Sequence, residues 1–149
     1  KMLFGADQMM PKSEIALQEY VQEQLGKPFE FGYNDCPLFV AGAIDAMKGT
    51  ELRDKYTGLW HSQASAWKYA KKNGDLSEQL KKLGFETVEL SHIQTGDVIV
   101  MEQRLAHEKK WRSVAVCVGS KVAIVRDDIG VEIVNIFKVP NITEVLRWQ

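Results

Sequence analysis

The sequence predicts an α+β fold, with helices first and an antiparallel sheet of about five to six strands after them. Three observations carry this expectation. Up to Gly84, apolar residues recur at three- and four-residue spacing between helix-capping residues. From Phe85 the period changes and β-branched residues dominate. The connections between these later segments are short, which favours antiparallel neighbours, because parallel pairs need a long crossover.

In the first helix Ser13 is placed as a cap, and Leu17, Val21 and Leu25 recur at every fourth position beside Tyr20, until Gly26 and Pro28 end it. Residues 29–33 are aromatic and turn-rich, and Asn34-Asp35 offers a cap for a second helix over 36–48. That helix carries apolar residues nearly all round, so it is expected to be central. Pro37 is tolerated there because first-turn amides have no intrahelical acceptor. Ala64, Trp67 and Ala70 form a helical stripe ended by Asn73-Gly74. Asp75 and Glu78 then make a capping box for a short helix with Leu76, Leu80 and Leu83, stopped by Gly84. Strands are expected at 85–90, 97–101, 112–118, 122–125, 131–135 and 145–148. Gly119-Ser120 suits a two-residue hairpin with glycine first, and 127–130 suits the next turn.

The 149 residues, 45% hydrophobic and 26% charged, fit one domain over 1–149, with 1–12 as an N-terminal extension able to act as an interface arm. Nineteen basic and 20 acidic residues leave a net charge of -1, so no field favours nucleic acid or an anionic membrane. No apolar run approaches the roughly 20 residues that span a bilayer, and no secretory layout opens the chain, so synthesis in a cytoplasm is the expectation. Lys1 in place of an initiator Met suggests a start inside a longer product. Cys36 and Cys117 are too few for a disulfide framework. No ligand spacing marks a metal cage, His61, His92 and His107 are scattered, and no cofactor is expected.

Cys36 is the strongest candidate for a chemical centre. At a helix N-terminus the free amides and the dipole stabilise a thiolate, lowering a cysteine pKa from about 8.5 toward 3.5–7.5. The competing reading is a small inert core residue, since unpaired cysteine is among the most buried types. The string 26–36, Gly-Lys-Pro-Phe-Glu-Phe-Gly-Tyr-Asn-Asp-Cys, followed by an apolar helix, resembles the nucleophile motif of the NlpC-type cell-wall peptidases, a papain-like superfamily. Gly96-Asp97-Val98-Ile99-Val100 is similar to that family's Gly-Asp strand, and 113–119 to its next strand, ending in glycine. The resemblance covers about residues 13–125 and implies helices packed on a small antiparallel sheet.

The departures from the family pattern are as informative. The resemblance puts a general-base histidine where Ser113 stands, and a serine hydroxyl cannot take a proton from a thiol near neutral pH. The family's third polar residue falls near Val125 or Arg126, and Phe29 stands in place of a tyrosine. His107, six positions before Ser113, is the one histidine placed to substitute as base. Short members with these motifs and a final-strand tryptophan, as Trp148 provides, resemble proteins encoded among bacteriophage and prophage tail genes. The resemblance therefore implies a virion tail component with a degenerate peptidase fold, partnered by other tail proteins. The alternatives are an active cell-wall endopeptidase or amidase acting on peptidoglycan through Cys36 and His107, and an intracellular binding module.

Several residues remain as interface candidates. Lys109-Lys110-Trp111-Arg112 is a basic cluster with one aromatic, expected as a solvated loop. Helical spacing makes Trp67 mainly core and leaves Trp60 open, while Cys117 shares strand parity with Ser113 and Ala115 and is expected to pack. Trp60, the segment 104–112 and the apolar Met2-Leu3-Phe4 and Met9-Met10 are the expected docking surfaces, because none is needed to fill the helix and strand pattern.

Overall fold

A computed structural model describes residues 11–104 and 110–148. Among them five helices precede the sheet: α1 (Lys12–Gln24), α2 (Cys36–Lys48), α3 (Leu52–Tyr56), α4 (Gln63–Asn73) and α5 (Leu76–Lys82). The strands are β1 (Phe85–Val88), β2 (Val98–Arg104), β3 (Lys110–Val118), β4 (Lys121–Arg126), β5 (Gly130–Asn135) and β6 (Ile142–Trp148). They form one six-stranded antiparallel sheet in the order β1-β6-β2-β3-β4-β5. The fold is α+β, helices N-terminal and sheet C-terminal. His107 and the apolar residues before Pro11 lie outside the described residues.

Helix α2 is the central one, packed against α1, α3, β3 and β4, with Leu38 through Ile44 buried. Its contact with α1 is polar as well as apolar, since Tyr20 Oη donates to the Phe39 carbonyl at 2.8 Å and accepts from Arg53 at 2.6 Å. Gly42 lets that ring approach, because a Cβ there would meet Tyr20 Oη at 2.2 Å.

The local readings differ from the structure in a few places. Helix α1 begins after Pro11, so Ser13 lies inside it and caps nothing, and Leu25 is exposed rather than part of the buried stripe. Helix α3 has no apolar period to announce it. It forms because Asp45, the one acid within α2, accepts from the amides of Leu52 and Arg53 at 2.8 and 2.9 Å, supplying acceptors for first-turn donors from another helix. Leu90 leaves the first strand for a 3₁₀ turn over Leu90–His92, and the last strand starts earlier, at Ile142. Both capping residues of α5 are as expected, Asp75 and Glu78 each bonding the other's amide.

The sheet alternates faces with the period of two that a pleat imposes. Val98, Val100, Val114, Val116, Ala123, Val125 and Leu146 pack under the helices, while Ile99, Met101, Ala115, Cys117 and Val122 form a second cluster on the far side. Cys117 is fully buried there beside Ala115. Gly119 (φ 64) and Ser120 make the two-residue turn from β3 to β4.

Gly96-Asp97 acts as a clasp at the start of β2. Gly96 adopts φ 95, and a Cβ on it would lie 2.9 Å from Met47 Sδ, so glycine allows the turn to approach α2. The Asp97 carboxylate, 2% exposed as a residue, accepts from Arg147 Nε and Nη2 at 2.8 Å each and from the Gln94 amide at 2.8 Å. That bidentate pair fastens β6 beside β2. Asp97→Ala leaves Arg147 and the Gln94 amide without their acceptor and is expected to cost about 3 kcal/mol. A shift of the urea midpoint with unchanged slope measures it; a midpoint within error of the parent contradicts the clasp.

Candidate functional site

The site is built from the turn before α2. Glu30 and Asn34 exchange backbone bonds at 3.0 and 2.8 Å, closing a tight loop over 30–34, and Asn34 Nδ2 donates to the carbonyls of Lys27 and Pro28. Gly32 takes φ 82 inside this loop, and a Cβ there would fall 1.8 Å from the Trp60 carbonyl oxygen, so only glycine fits. Asp35 follows as the N-cap of α2. Its carboxylate accepts from the Leu38 amide at 3.1 Å, the Gly32 amide at 2.9 Å and Trp60 Nε1 at 2.6 Å, and the residue is 3% exposed. One carboxylate thus holds the helix end, the glycine turn and the segment ahead of α4.

Trp60, left open by helical spacing and named as a docking residue, and Trp67, expected mainly in the core, both lie elsewhere than expected. Trp60 is buried, with its ring 5.1 Å from that of Tyr69, so it is unavailable as a docking residue. Trp67 is half-buried, 6.0 Å from the Trp111 ring and with Lys71 Nζ 5.7 Å from its own ring centre. The difference arises from a partner remote in sequence: a buried carboxylate satisfies the indole N–H of Trp60.

Cys36 is the first residue of α2 and opens onto a cleft of about 420 Å³. The cleft is lined by Phe29, Phe31, Trp60 and Tyr69 from the helical half of the chain and by Trp111, Ser113, Val114 and residues 124–128 from the strand half. Phe29 meets Phe31 edge-on at 4.7 Å. Ser113 is buried on β3, one residue from Val114, and borders the same cleft as Cys36. His61 lies exposed just before the Ser62 cap of α4, and His92 ends a 3₁₀ turn with its carbonyl accepting from Arg147; neither lines the cleft.

The sulfur itself occupies a defect in the sheet. Strands β3 and β4 pair through Val118↔Lys121, Cys117↔Val122 and Val116↔Ala123, and there the ladder stops. By the same register Val114 would face Val125. Instead, the Cys36 S–H donates to the Val125 carbonyl at 3.5 Å. The thiol stands in for the next rung.

This placement reverses the expected electrostatics. Burial, then the charges of Asp35 and Asp127, push the Cys36 pKa up to about 12, and the backbone bonds from Val114 and Val125 offset only part of that. The magnitudes explain why the helix end loses. A helix terminus contributes at most about 2 kcal/mol to a nearby charge. Enclosing an ionisable group moves its pKa by as much as roughly 3–5 units, each worth about 1.4 kcal/mol. Asp35, moreover, already supplies a negative charge to the α2 terminus. The expectation of a lowered pKa at Cys36 is therefore overturned, and at neutral pH the residue is a thiol.

Elsewhere on the rim, Arg112 pairs with Asp75 at 2.8 Å and with Glu78 at 3.0 Å, tying β3 to the start of α5. Arg126 Nε lies 2.5 Å from Glu132, close enough for an ion pair but not aligned as a hydrogen bond. Asp127 and Asp128 are exposed and have no ion-pair partner among the described residues. No group of three or more metal-binding side chains converges among the described residues, and no helix of theirs is long and apolar enough to cross a membrane.

These features define an α+β domain with a cysteine-headed helix set against the middle of an antiparallel sheet. The sequence profile of a family described as a domain of unknown function, DUF6950, matches residues 8–144, so the chain belongs to that family. No curated protein matches it.

Because the folded thiol keeps its proton until about pH 12 while the unfolded thiol loses it near 9, the Cys36 contribution to stability is present below pH 9 and is lost as pH rises from 9 to 12. Urea unfolding of the parent and of Cys36→Ala at pH 8 and pH 10 should show a smaller loss with pH in the variant. Cys117, raised to about 11, contributes a slope common to both. Equal slopes would contradict the assignment. Asp35→Ala is expected to cost about 2–4 kcal/mol from three abandoned N–H donors and to shift Trp60 emission to the red.

Proposed function

We propose that this chain is a papain-like domain of the NlpC type with an incomplete catalytic set, serving as a structural part of a bacteriophage tail rather than as a peptidase. The observation that carries the non-catalytic half is the state of Cys36. A cysteine nucleophile must reach the thiolate, and here the thiol is raised to about 12 and committed to the Val125 carbonyl. Ser113 borders the cleft at the position where the resemblance puts the base, and neither His61 nor His92 approaches it. The tail assignment draws on the resemblance of the 26–36 string, the Gly96-Asp97 strand and Trp148 to short phage-encoded members. Near-zero net charge suits a part held by contacts rather than one capturing charged substrate. Phe137, 93% exposed, is an apolar side chain that folding leaves on the surface.

A second reading, an active endopeptidase or amidase with Cys36 as nucleophile and His107 as base, is favoured by one feature: the cysteine heads a helix and opens onto a cleft lined with aromatic residues.

Both readings meet in one experiment on the phage or prophage that encodes the chain. The protein is expected in purified particles. Cys36→Ala should leave its incorporation and particle infectivity unchanged, and deletion of residues 1–10 should prevent incorporation. The purified protein should leave peptidoglycan stem peptides intact. Turnover that disappears in Cys36→Ala would establish the enzyme, and absence from particles would overturn the tail assignment.

A further inference from the structure

We propose that the opening between β3 and β4 receives an extended polypeptide strand of a partner protein, bonded through its backbone to β3 and β4 and directing a basic side chain at Asp127 and Asp128. The proposal deepens the non-catalytic reading above and rests on it, since it takes the cleft as a docking site rather than a place of turnover.

The argument begins with backbone direction. In an antiparallel ladder the N–H and C=O groups of alternate residues point to the same neighbour. Cys117 donates to the Asp97 carbonyl and accepts from the Gly96 amide, so its backbone faces the β2 side. The β2–β3 register then runs without a shift from Val98↔Val116 to Arg104↔Lys110. Ala115, Ser113 and Trp111 therefore also face β2, while Val114 and Arg112 face the opposite way. The Val116↔Ala123 and Val118↔Lys121 pairs, on the same alternation as Val114, agree with that direction.

Strand β4 mirrors this situation. It pairs with β5 along its full length, Lys121↔Asn135 to Arg126↔Gly130, but with β3 only as far as Ala123. Two strand edges in the middle of the sheet, 112–114 of β3 and 125–126 of β4, thus face each other without a ladder between them. Cys36 closes the narrow end, and the cleft of about 420 Å³ lies beyond it. An unpaired edge is a template for a further strand, and peptide ligands of many domains bind by that addition.

The walls select the occupant. A strand presents successive side chains to opposite sides. Among the residues that line it, Phe31, Tyr69 and Trp111 offer apolar and aromatic surface. Asp127 and Asp128, also lining it, bring two carboxylates without ion-pair partners among the described residues, whereas Arg112 and Arg126 are already engaged with acids. The complementary segment combines a basic residue with apolar or aromatic ones. An acidic segment would add like charge beside Asp35, Asp127 and Asp128.

The test uses the full chain and a set of blocked heptapeptides of alternating Val and Thr whose central residue is Lys, Arg, Tyr or Glu. Titration followed by tryptophan emission gives affinity, and amide hydrogen exchange by NMR reports the backbone of Arg112 and Val125. The Lys and Arg peptides are expected to bind about tenfold or more tightly than the Glu peptide at low salt, with slowed exchange at those amides. Asp127→Asn with Asp128→Asn, two exposed turn positions, should erase that preference while leaving the fold intact. Methylating alternate peptide nitrogens should abolish binding. Failure of every peptide to bind at millimolar concentration, equal binding of Lys and Glu peptides, or binding without amide protection would overturn the proposal. Mass spectrometry of the same mixtures separates the two claims, because a cut peptide refutes the non-catalytic reading while binding and amide protection still decide the docking site.

Discussion

Much of this structure depends on one carboxylate, Asp35. It accepts three N–H groups from three places in the chain: the first turn of α2, the glycine turn before it and the indole of Trp60. Burying a carboxylate is costly unless donors surround it, and here the donors are two backbone amides that no other residue serves and one ring nitrogen. The consequence is positional. The head of α2 cannot move relative to the 30–34 loop or to the segment entering α4, so Cys36, next in sequence, meets the sheet at one place.

That place is where the sheet is least regular. Helix α2 packs on β3 and β4, its Leu38 and Val40 sharing one buried cluster with Val114, Val116 and Val125. A helix end that comes so low cannot coexist with a continuous β3–β4 ladder, and the pair parts beyond Val116↔Ala123. The freed backbone groups then need partners, and the thiol supplies part of what is missing. The pushed-up pKa follows from the same geometry: a sulfur enclosed between two strands, near two carboxylates, is far more stable with its proton. Closure at the Cys36 end and openness toward Arg112 and Asp127 are two aspects of one parting of strands.

A second clasp, Asp97 with Arg147, has the corresponding role on the other half of the sheet. It fixes β6 between β1 and β2, which lets the last strand close the sheet beside the first of the central meander. The two clasps use the same device, a buried aspartate just before an apolar element, receiving donors from distant chain segments.

The order of helices and strands, the caps at Asp35 and Asp75, the central character of α2 and the face of Cys117 were legible in the sequence, because each rests on local spacing or on a side chain bonding its own neighbours. The position of Cys36 at a helix head was legible for the same reason. Its chemistry was not, since dipole arguments use only the helix, whereas desolvation by β3 and β4 and the charge of Asp127 in the turn after β4 come from segments far along the chain. Trp60 and Trp67 illustrate the same division. Helical spacing sees Trp67 and assigns it inward, but only the fold brings Asp35 to Trp60 and leaves Trp67 half-buried against Trp111. Helix α3 depends on Asp45 across a loop, and the insertion of β6 between β1 and β2 depends on Arg147 reaching Asp97. Sequence by itself determined the elements other than α3, through local periodicity and capping; the tertiary structure alone decided which of them part, which side chains lose water and which polar groups meet, because those follow from contacts between residues far apart in the chain.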